Sequence, residues 1–313
     1  MTQQLGFLFP GQGSQHVGML AELATLYPQV LHTFTEASEV LGYDLWALTQ
    51  SGPAEKLALT SITQPAILTS SVAIWRVWVD RGGPMPMMMA GHSLGEYSAL
   101  VCAGVLQFSD AVHLVKRRGE FMQDAVPVGA GGMAAILGLE DEAVIKACAD
   151  ASTKGIVTAV NFNSPGQIVI AGESAAVELA SELCKAAGAK RILPLSVSAP
   201  FHSPLMKGAA EYFAVELNKK ELKNPSIPVL QNYGLETSLD INKIRENLIY
   251  QIYNPVPWVA TINLFADRKI NTVVEMGPGK VLSGLNKRIR SEMTAMSIND
   301  PASLDAALAA ISA

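Results

Sequence analysis

The chain has 313 residues, of which 49% are hydrophobic and 16% charged, and its formal net charge is -5. That length and apolar content support one large domain or two with a substantial core, and exclude a disordered chain or a small disulfide-stapled scaffold. The acidic balance argues against nucleic acid as a partner, because that affinity rests on many Lys and Arg neutralising phosphates.

In chain order, Leu5 to Phe9 reads as a buried strand that runs into the turn Pro10-Gly11-Gln12-Gly13, with helical stretches to about Glu39 and from Pro65 to Val79. Met87 to Gly91 reads as a second buried strand, followed through Ser93 by a helix over Leu94 to Ala103; Ser109 is placed to cap another helix to about Val126. A Gly-rich joint at Gly129 to Gly132 then opens a different pattern. Strand (Met133 to Leu137), helix (Asp141 to Ala151), strands (Ile156 to Phe162 and Gln167 to Ala171, joined at Asn163-Ser164-Pro165-Gly166), helix (Ser174 to Ala187) and strand (Arg191 to Leu195) make a βαββαβ order. That order is the ferredoxin-like module. Helix and strand alternation resumes beyond Pro204, with strands at Pro228 to Asn232 and Thr272 to Glu275. The expected organisation is therefore a discontinuous large α/β domain, residues 1–128 and 198–313, interrupted by a small ferredoxin-like domain at 129–197.

Location and cofactors follow from what the sequence omits. No apolar run reaches the roughly 18 to 20 residues of a membrane span, the stretch Ala66 to Val79 being broken by Thr69, Ser70, Ser71 and Arg76. No charged residue precedes Glu22, so a basic secretory n-region is missing. Cys102, Cys148 and Cys184 lie in Ala-rich helical stretches without metal-ligand spacing, which fits buried thiols in a reducing cytoplasm. No membrane, metal or cofactor is expected.

Gly91-His92-Ser93-Leu94-Gly95 is a G-x-S-x-G pattern between a strand and a helix, the context a nucleophile elbow requires. The turn lifts the serine hydroxyl above the sheet and puts the Leu94 amide at a helix N-terminus, where it can stabilise an oxyanion. A helix N-cap is the competing reading of Ser93. Among His16, His32, His92, His113 and His202, the last stands out as a base because Pro200 and Pro204 hold it in a rigid loop where the two domains meet. No acidic residue is placed by pattern to orient it. In the helix from Ser109, the residues Ala111, Leu114, Val115, Phe121 and Met122 share a face, and Arg118 falls in the middle of it. An inward guanidinium needs a partner: either a structural Asp or Glu, or a substrate carboxylate held in bidentate fashion. Gly11-Gln12-Gly13 lacks the third glycine of a dinucleotide fingerprint, His16 standing there, and Gly277 to Val281 lacks P-loop spacing.

Together with these, Phe9 to Gln15, Gly91 to Glu96, Asn161 to Gln167, Arg118, His202, Gln251 and Glu275 to Lys280 resemble, in register over nearly the whole chain, the malonyl-CoA:acyl carrier protein transacylase family. The resemblance implies an α/β-hydrolase-like core with the ferredoxin-like insertion and a ping-pong acyl transfer that supplies fatty acid synthesis. It gives Ser93 the role of nucleophile, His202 that of base, the Gln251 main-chain carbonyl that of the orienting group, the Gln12 and Leu94 amides the oxyanion hole, and Arg118 the malonyl carboxylate. Gln64 matches a pocket residue, and Phe201 stands before His202 as in malonyl-selective relatives, where it would crowd an α-methyl branch. Malonyl-CoA and acyl carrier protein are the implied partners of a cytoplasmic monomer. Carrier docking would need a local basic patch, candidates being Lys280, Lys287, Arg288 and Arg290, or Lys116, Arg117, Lys190 and Arg191. A polyketide-type loader, a serine thioesterase and a catalytically silent carrier-binding module are the alternatives.

Overall fold

A computed structural model of the chain describes residues 4–195, 197 and 199–312. Of the expected domain limits, Met1, Ser198 and Ala313 lie outside the described residues.

The chain opens with β1 (Leu5–Phe9), then α1 (Ala21–Leu26), α2 (Pro28–Leu41), α3 (Leu45–Ser51), α4 (Ala54–Leu57) and the long α5 (Thr60–Asp80). β2 (Met88–Gly91), α6 (Gly95–Cys102) and α7 (Phe108–Asp124) follow. Next come β3 (Gly131–Leu137), α8 (Asp141–Ala151), β4 (Val157–Ser164), β5 (Gln167–Glu173), α9 (Ser174–Ala186) and β6 (Arg191–Pro194). The remainder is α10 (Lys207–Asn218), β7 (Val229–Leu230), α11 (Ile241–Gln251), α12 (Trp258–Asp267), β8 (Thr272–Met276), α13 (Val281–Ile289), β9 (Thr294–Ile298) and α14 (Pro301–Ser312).

Two sheets result. A five-stranded sheet in the order β7-β2-β1-β8-β9 is parallel throughout, with β1 at its centre. Every residue of β1 is buried, and its side chains alternate: Leu5, Phe7 and Phe9 enter the core cluster shared with α2, α5, α6 and α7, whereas Leu8 enters the opposite cluster with Trp258, Ile262 and Phe265 of α12. Helices on both faces are what a parallel sheet of such near-continuous apolar strands requires. At about 1.5–3 kcal/mol per fully buried large side chain, these two layers hold the scaffold of the site. The four-stranded sheet, order β4-β5-β3-β6, is antiparallel in each of its pairs and packs α8 and α9 around a separate core including Ile136, Val144, Ile168 and Ile170. This is the ferredoxin-like arrangement. β4 of the four-stranded sheet is bridged at Asn161 to Val256, in the loop between α11 and α12, where the Phe162 amide donates to the Val256 carbonyl (3.0 Å) and the Val256 amide to the Val160 carbonyl (2.8 Å).

Several local expectations shift. α5 begins at Thr60, so Pro65 lies inside a helix where its missing amide leaves the Ser61 carbonyl without that bond. Nearby, α7 packs so close that a Cβ at Gly119 would meet the Thr60 carbonyl at 2.7 Å. α7 begins after Gln107, and Ser109 sits inside it rather than capping it. β4 extends to Ser164, which shortens the predicted turn to Pro165-Gly166. β9 escapes sequence reading because Thr294 to Ile298 forms a sheet edge, with neither a continuous apolar run nor a clear alternation.

Candidate active site

β2 ends at Gly91, and the chain turns through His92 and Ser93 into α6. The turn is tight enough to forbid side chains on either side: a Cβ at Gly91 would lie 1.9 Å from the Gly95 carbonyl carbon, and one at Gly95 would lie 1.9 Å from the Phe9 carbonyl oxygen. Ser93 is held at φ 52, the left-handed region that β-carbon-bearing residues avoid, and His202 at φ 62. Both reacting candidates thus sit on strained backbone that the surrounding packing imposes.

Ser93 does not cap α6; Leu94 stands at the N-cap and the serine hydroxyl turns instead to His202, Oγ to Nε2 being 2.7 Å. On the other side of the ring, Nδ1 lies 2.8 Å from the main-chain oxygen of Gln251 at the end of α11. A carbonyl can only accept, so Nδ1 carries the proton and Nε2 is left free to accept from Ser93. Burial, followed by the neighbouring Arg118 charge, pushes the His202 pKa down to about 3, so the imidazole is neutral near pH 7. The loop bearing it is closed by the Ser203 hydroxyl on the Pro200 carbonyl (2.7 Å).

Arg118 lies on the buried face of α7 as its periodicity predicts; Phe121 falls at the margin of that face and stacks on Tyr212. The guanidinium donates from Nη1 to Gln64 Oε1 (2.8 Å) and from Nη2 to Gln251 Oε1 (2.9 Å) and Ser93 Oγ (3.1 Å). It also lies over the Tyr97 ring at 5.3 Å. All of these partners are neutral. Among the described residues Arg118 takes part in no ion pair, and its buried Nε has no hydrogen-bond partner. No described Asp or Glu bonds the guanidinium directly, and it faces the serine with its Nε donor unused. Gln64 on α5 also reaches back to Gln12 Oε1 (3.3 Å), which ties the β1 turn into the same cluster.

Gln12, Ser93, Phe201 and His202 line one cleft of about 110 Å³, roofed by Met133, Asn161, Leu195 and Val197 from the four-stranded sheet and its exit loop. A larger groove of about 510 Å³ between α9 and the β3–β6 pair has no histidine or cysteine in its lining and holds no comparable pair. The arrangement can activate a hydroxyl toward a carbonyl carbon while holding a carboxylate next to it.

The Acyl transferase domain family model matches residues 6–298. The chain belongs to this acyl transferase family. It is 58% identical over 305 residues to the malonyl CoA-acyl carrier protein transacylase of Salmonella typhimurium, covering 97% of this chain and 99% of that one. A solved acyl carrier protein S-malonyltransferase from Vibrio cholerae superposes with a TM-score of 0.95 at 56% identity, covering 97% of this chain and 99% of that one. A malonyl-transacylase solved in complex with a type II PKS acyl-carrier protein superposes with a TM-score of 0.97 at 54% identity, covering 98% and 100%.

In this acyl transferase, Glu275 lies apart from the cleft and instead accepts the Leu282 and Ser283 amides at the start of α13 (3.0 and 2.8 Å). His92 also lines the cleft, but its Nε2 bonds Asn163 (2.8 Å) rather than Ser93. Sequence reasoning missed two residues beneath the elbow. Asn232, just past β7, accepts the Ser93 amide (2.8 Å) and donates to the Gly91 carbonyl (2.7 Å), clamping the turn. Glu96, fully buried in the first turn of α6, accepts from Gln231, Asn232 and Gln251. A lone carboxylate within Leu94-Gly95-Glu96-Tyr97-Ser98-Ala99-Leu100 was the signal available. Cys102, Cys148 and Cys184 are free and buried, as expected. Among the described residues no helix is long and apolar enough to cross a membrane, and no group of His, Cys, Asp and Glu could hold a metal ion.

Proposed function

We propose that the protein transfers a malonyl group from malonyl-CoA to the phosphopantetheine thiol of acyl carrier protein, supplying fatty acid synthesis. The observation that carries the reading is the Arg118 fork, which faces Ser93 with no carboxylate bonded to it. Ser93 Oγ attacks the thioester carbonyl as His202 Nε2 takes its proton; the tetrahedral intermediate expels the CoA thiolate, which leaves with that proton. The carrier thiol then gives a proton to His202 and attacks the malonyl-serine ester, and Ser93 departs reprotonated. The Gln12 and Leu94 amides serve the oxyanion, the Gln251 carbonyl supports the charged imidazolium, and Arg118 and Gln64 hold the malonyl carboxylate. Phe201, buried in the cleft wall, crowds branching at the α-carbon. We assign residues 129–197 to the small domain and the rest to the large one, and read the protein as a cytoplasmic monomer.

Carrier proteins of polyketide synthesis form a second acceptor class, favoured by the likeness to the transacylase solved with one. Intact-protein mass after brief exposure to malonyl-CoA tests the whole reading. A single malonyl adduct, absent in Ser93→Ala, weak with acetyl-CoA and removed by carrier protein, is expected. Steady release of CoA without an adduct or transfer would make it a thioesterase instead.

A further inference from the structure

We propose that Glu96, in its ionised form, is a positioning residue for acyl selectivity: through the Gln251 side chain it holds the Arg118 guanidinium over Ser93. The proposal rests on the reading of Arg118 as the malonyl fork.

The geometry leaves Gln251 one orientation. Its Nε2 donates to Glu96 Oε2 (2.8 Å) and to the Ser93 main-chain oxygen (3.0 Å), which uses both amide hydrogens. Its Oε1 is thereby turned to Arg118 Nη2 (2.9 Å). With the amide reversed, an NH2 group would face the guanidinium and an oxygen would face the carboxylate, two repulsive contacts in a site without water-like screening. The same residue offers its main-chain oxygen to His202 Nδ1, so one anchor on Gln251 steadies both the acyl fork and the base. Glu96 Oε2 also accepts the amide of Asn232, whose side chain clamps the elbow, and Oε1 accepts from Gln231 Nε2 (3.0 Å).

Each of these hydrogen bonds is one that Glu96 accepts: a proton on Oε2 would meet a donor, and one on the second site of Oε1 would have no acceptor among these partners. On balance burial raises its pKa, its three donors and the Arg118 charge offsetting only part of that, so the case for the carboxylate rests on the geometry of its acceptors. Its negative charge is also the nearest compensation for the Arg118 guanidinium, reached through a single intervening amide. A glutamine in its place cannot accept on both sides. Gln231 cannot turn to help, because its Oε1 is engaged by Asn247 (2.9 Å) and its Nε2 also donates to the Ile244 carbonyl (3.3 Å).

The test is single-turnover acylation by malonyl-CoA and by acetyl-CoA, read by rapid-quench intact mass, for wild type, Glu96→Gln, Gln251→Met and the double variant, with Tm measured alongside. Glu96→Gln is expected to lower the malonyl-to-acetyl rate ratio by about tenfold, the scale of one lost hydrogen bond to a charged group. Gln251→Met is expected to lower it at least as far, and the double variant no further than Gln251→Met alone. A purely structural role would scale both donors together and leave the ratio unchanged, and that result overturns the proposal. A double variant whose loss is the product of the two single losses also overturns it, since Glu96 would then act by another route. If Glu96→Gln does not fold, the ratio in Gln251→Met decides: a value equal to wild type refutes the relay. A wild-type enzyme without malonyl preference would instead refute the reading of the Arg118 fork.

Discussion

Replacing Arg118 by methionine isolates the electrostatic part of selectivity, because Met fills a similar buried stem and removes only the charge and its donors. In the wild-type site both Nη atoms are engaged by neutral groups while Nε has no partner, so the guanidinium is satisfied well enough to fold and keeps a donor unused. A malonyl carboxylate entering the Arg118→Met site would be a buried anion with its partner removed, a loss of about 3–5 kcal/mol. At about 1.36 kcal/mol per decade, malonyl kcat/KM should fall roughly two-hundred- to five-thousand-fold. Acetyl-CoA brings no charge, and its kcat/KM should stay within about tenfold of wild type, so the preference between donors falls by at least about one order of magnitude. Single-turnover rates with each donor, read as acyl-Ser93 by mass, measure this directly. Equal losses for both donors, at unchanged Tm, would refute the assignment of Arg118 to the carboxylate.

Because burial and Arg118 together keep His202 neutral far below the usual histidine range, acylation should show no inflection near pH 6.5 between pH 5 and 8; a midpoint there would contradict the buried geometry. In stability the sign is the same: the unfolded chain protonates this histidine near pH 6.5 and the native one near 3, so its contribution is complete above 6.5 and declines as pH falls through that window. Arg118→Met removes the second cause of the depression and should move the acid limb of activity to higher pH, which a rate profile checks. Gly95→Ala would set a Cβ 1.9 Å from the Phe9 oxygen, and denaturant unfolding should show a loss of at least about 3 kcal/mol. Phe201→Ser should raise methylmalonyl relative to malonyl acylation in a competition read by mass; an unchanged ratio removes Phe201 from the selectivity account.

The parallel-sheet strands and the elbow were legible because β1 and β2 are apolar runs ending in turn residues, and Arg118 was legible because a charge inside an apolar helical face has few innocent explanations. The orienting group for His202 was not legible from residue pattern. It is a main-chain oxygen at the end of α11, and any amino acid at 251 would carry one; only the resemblance pointed to it. Asn232 and Gln231 were invisible for a related reason, since they reach the elbow across 135 or more positions of chain and nothing local marks them. Arg118 itself was only half read: periodicity placed it inward, but could not say that its neighbours would be amides rather than a carboxylate.

The bridge between Asn161 and Val256 has a mechanical consequence. Residue 256 follows the end of α11 by five positions, and its two backbone bonds splice the loop after that helix onto β4 as a short extra strand. A rigid tilt of the four-stranded sheet must break that splice or drag the loop along, and with it the oxygen that steadies the imidazole. The roof of the cleft and the loop behind His202 are thus joined by one backbone splice, so a displacement of either is felt by the other.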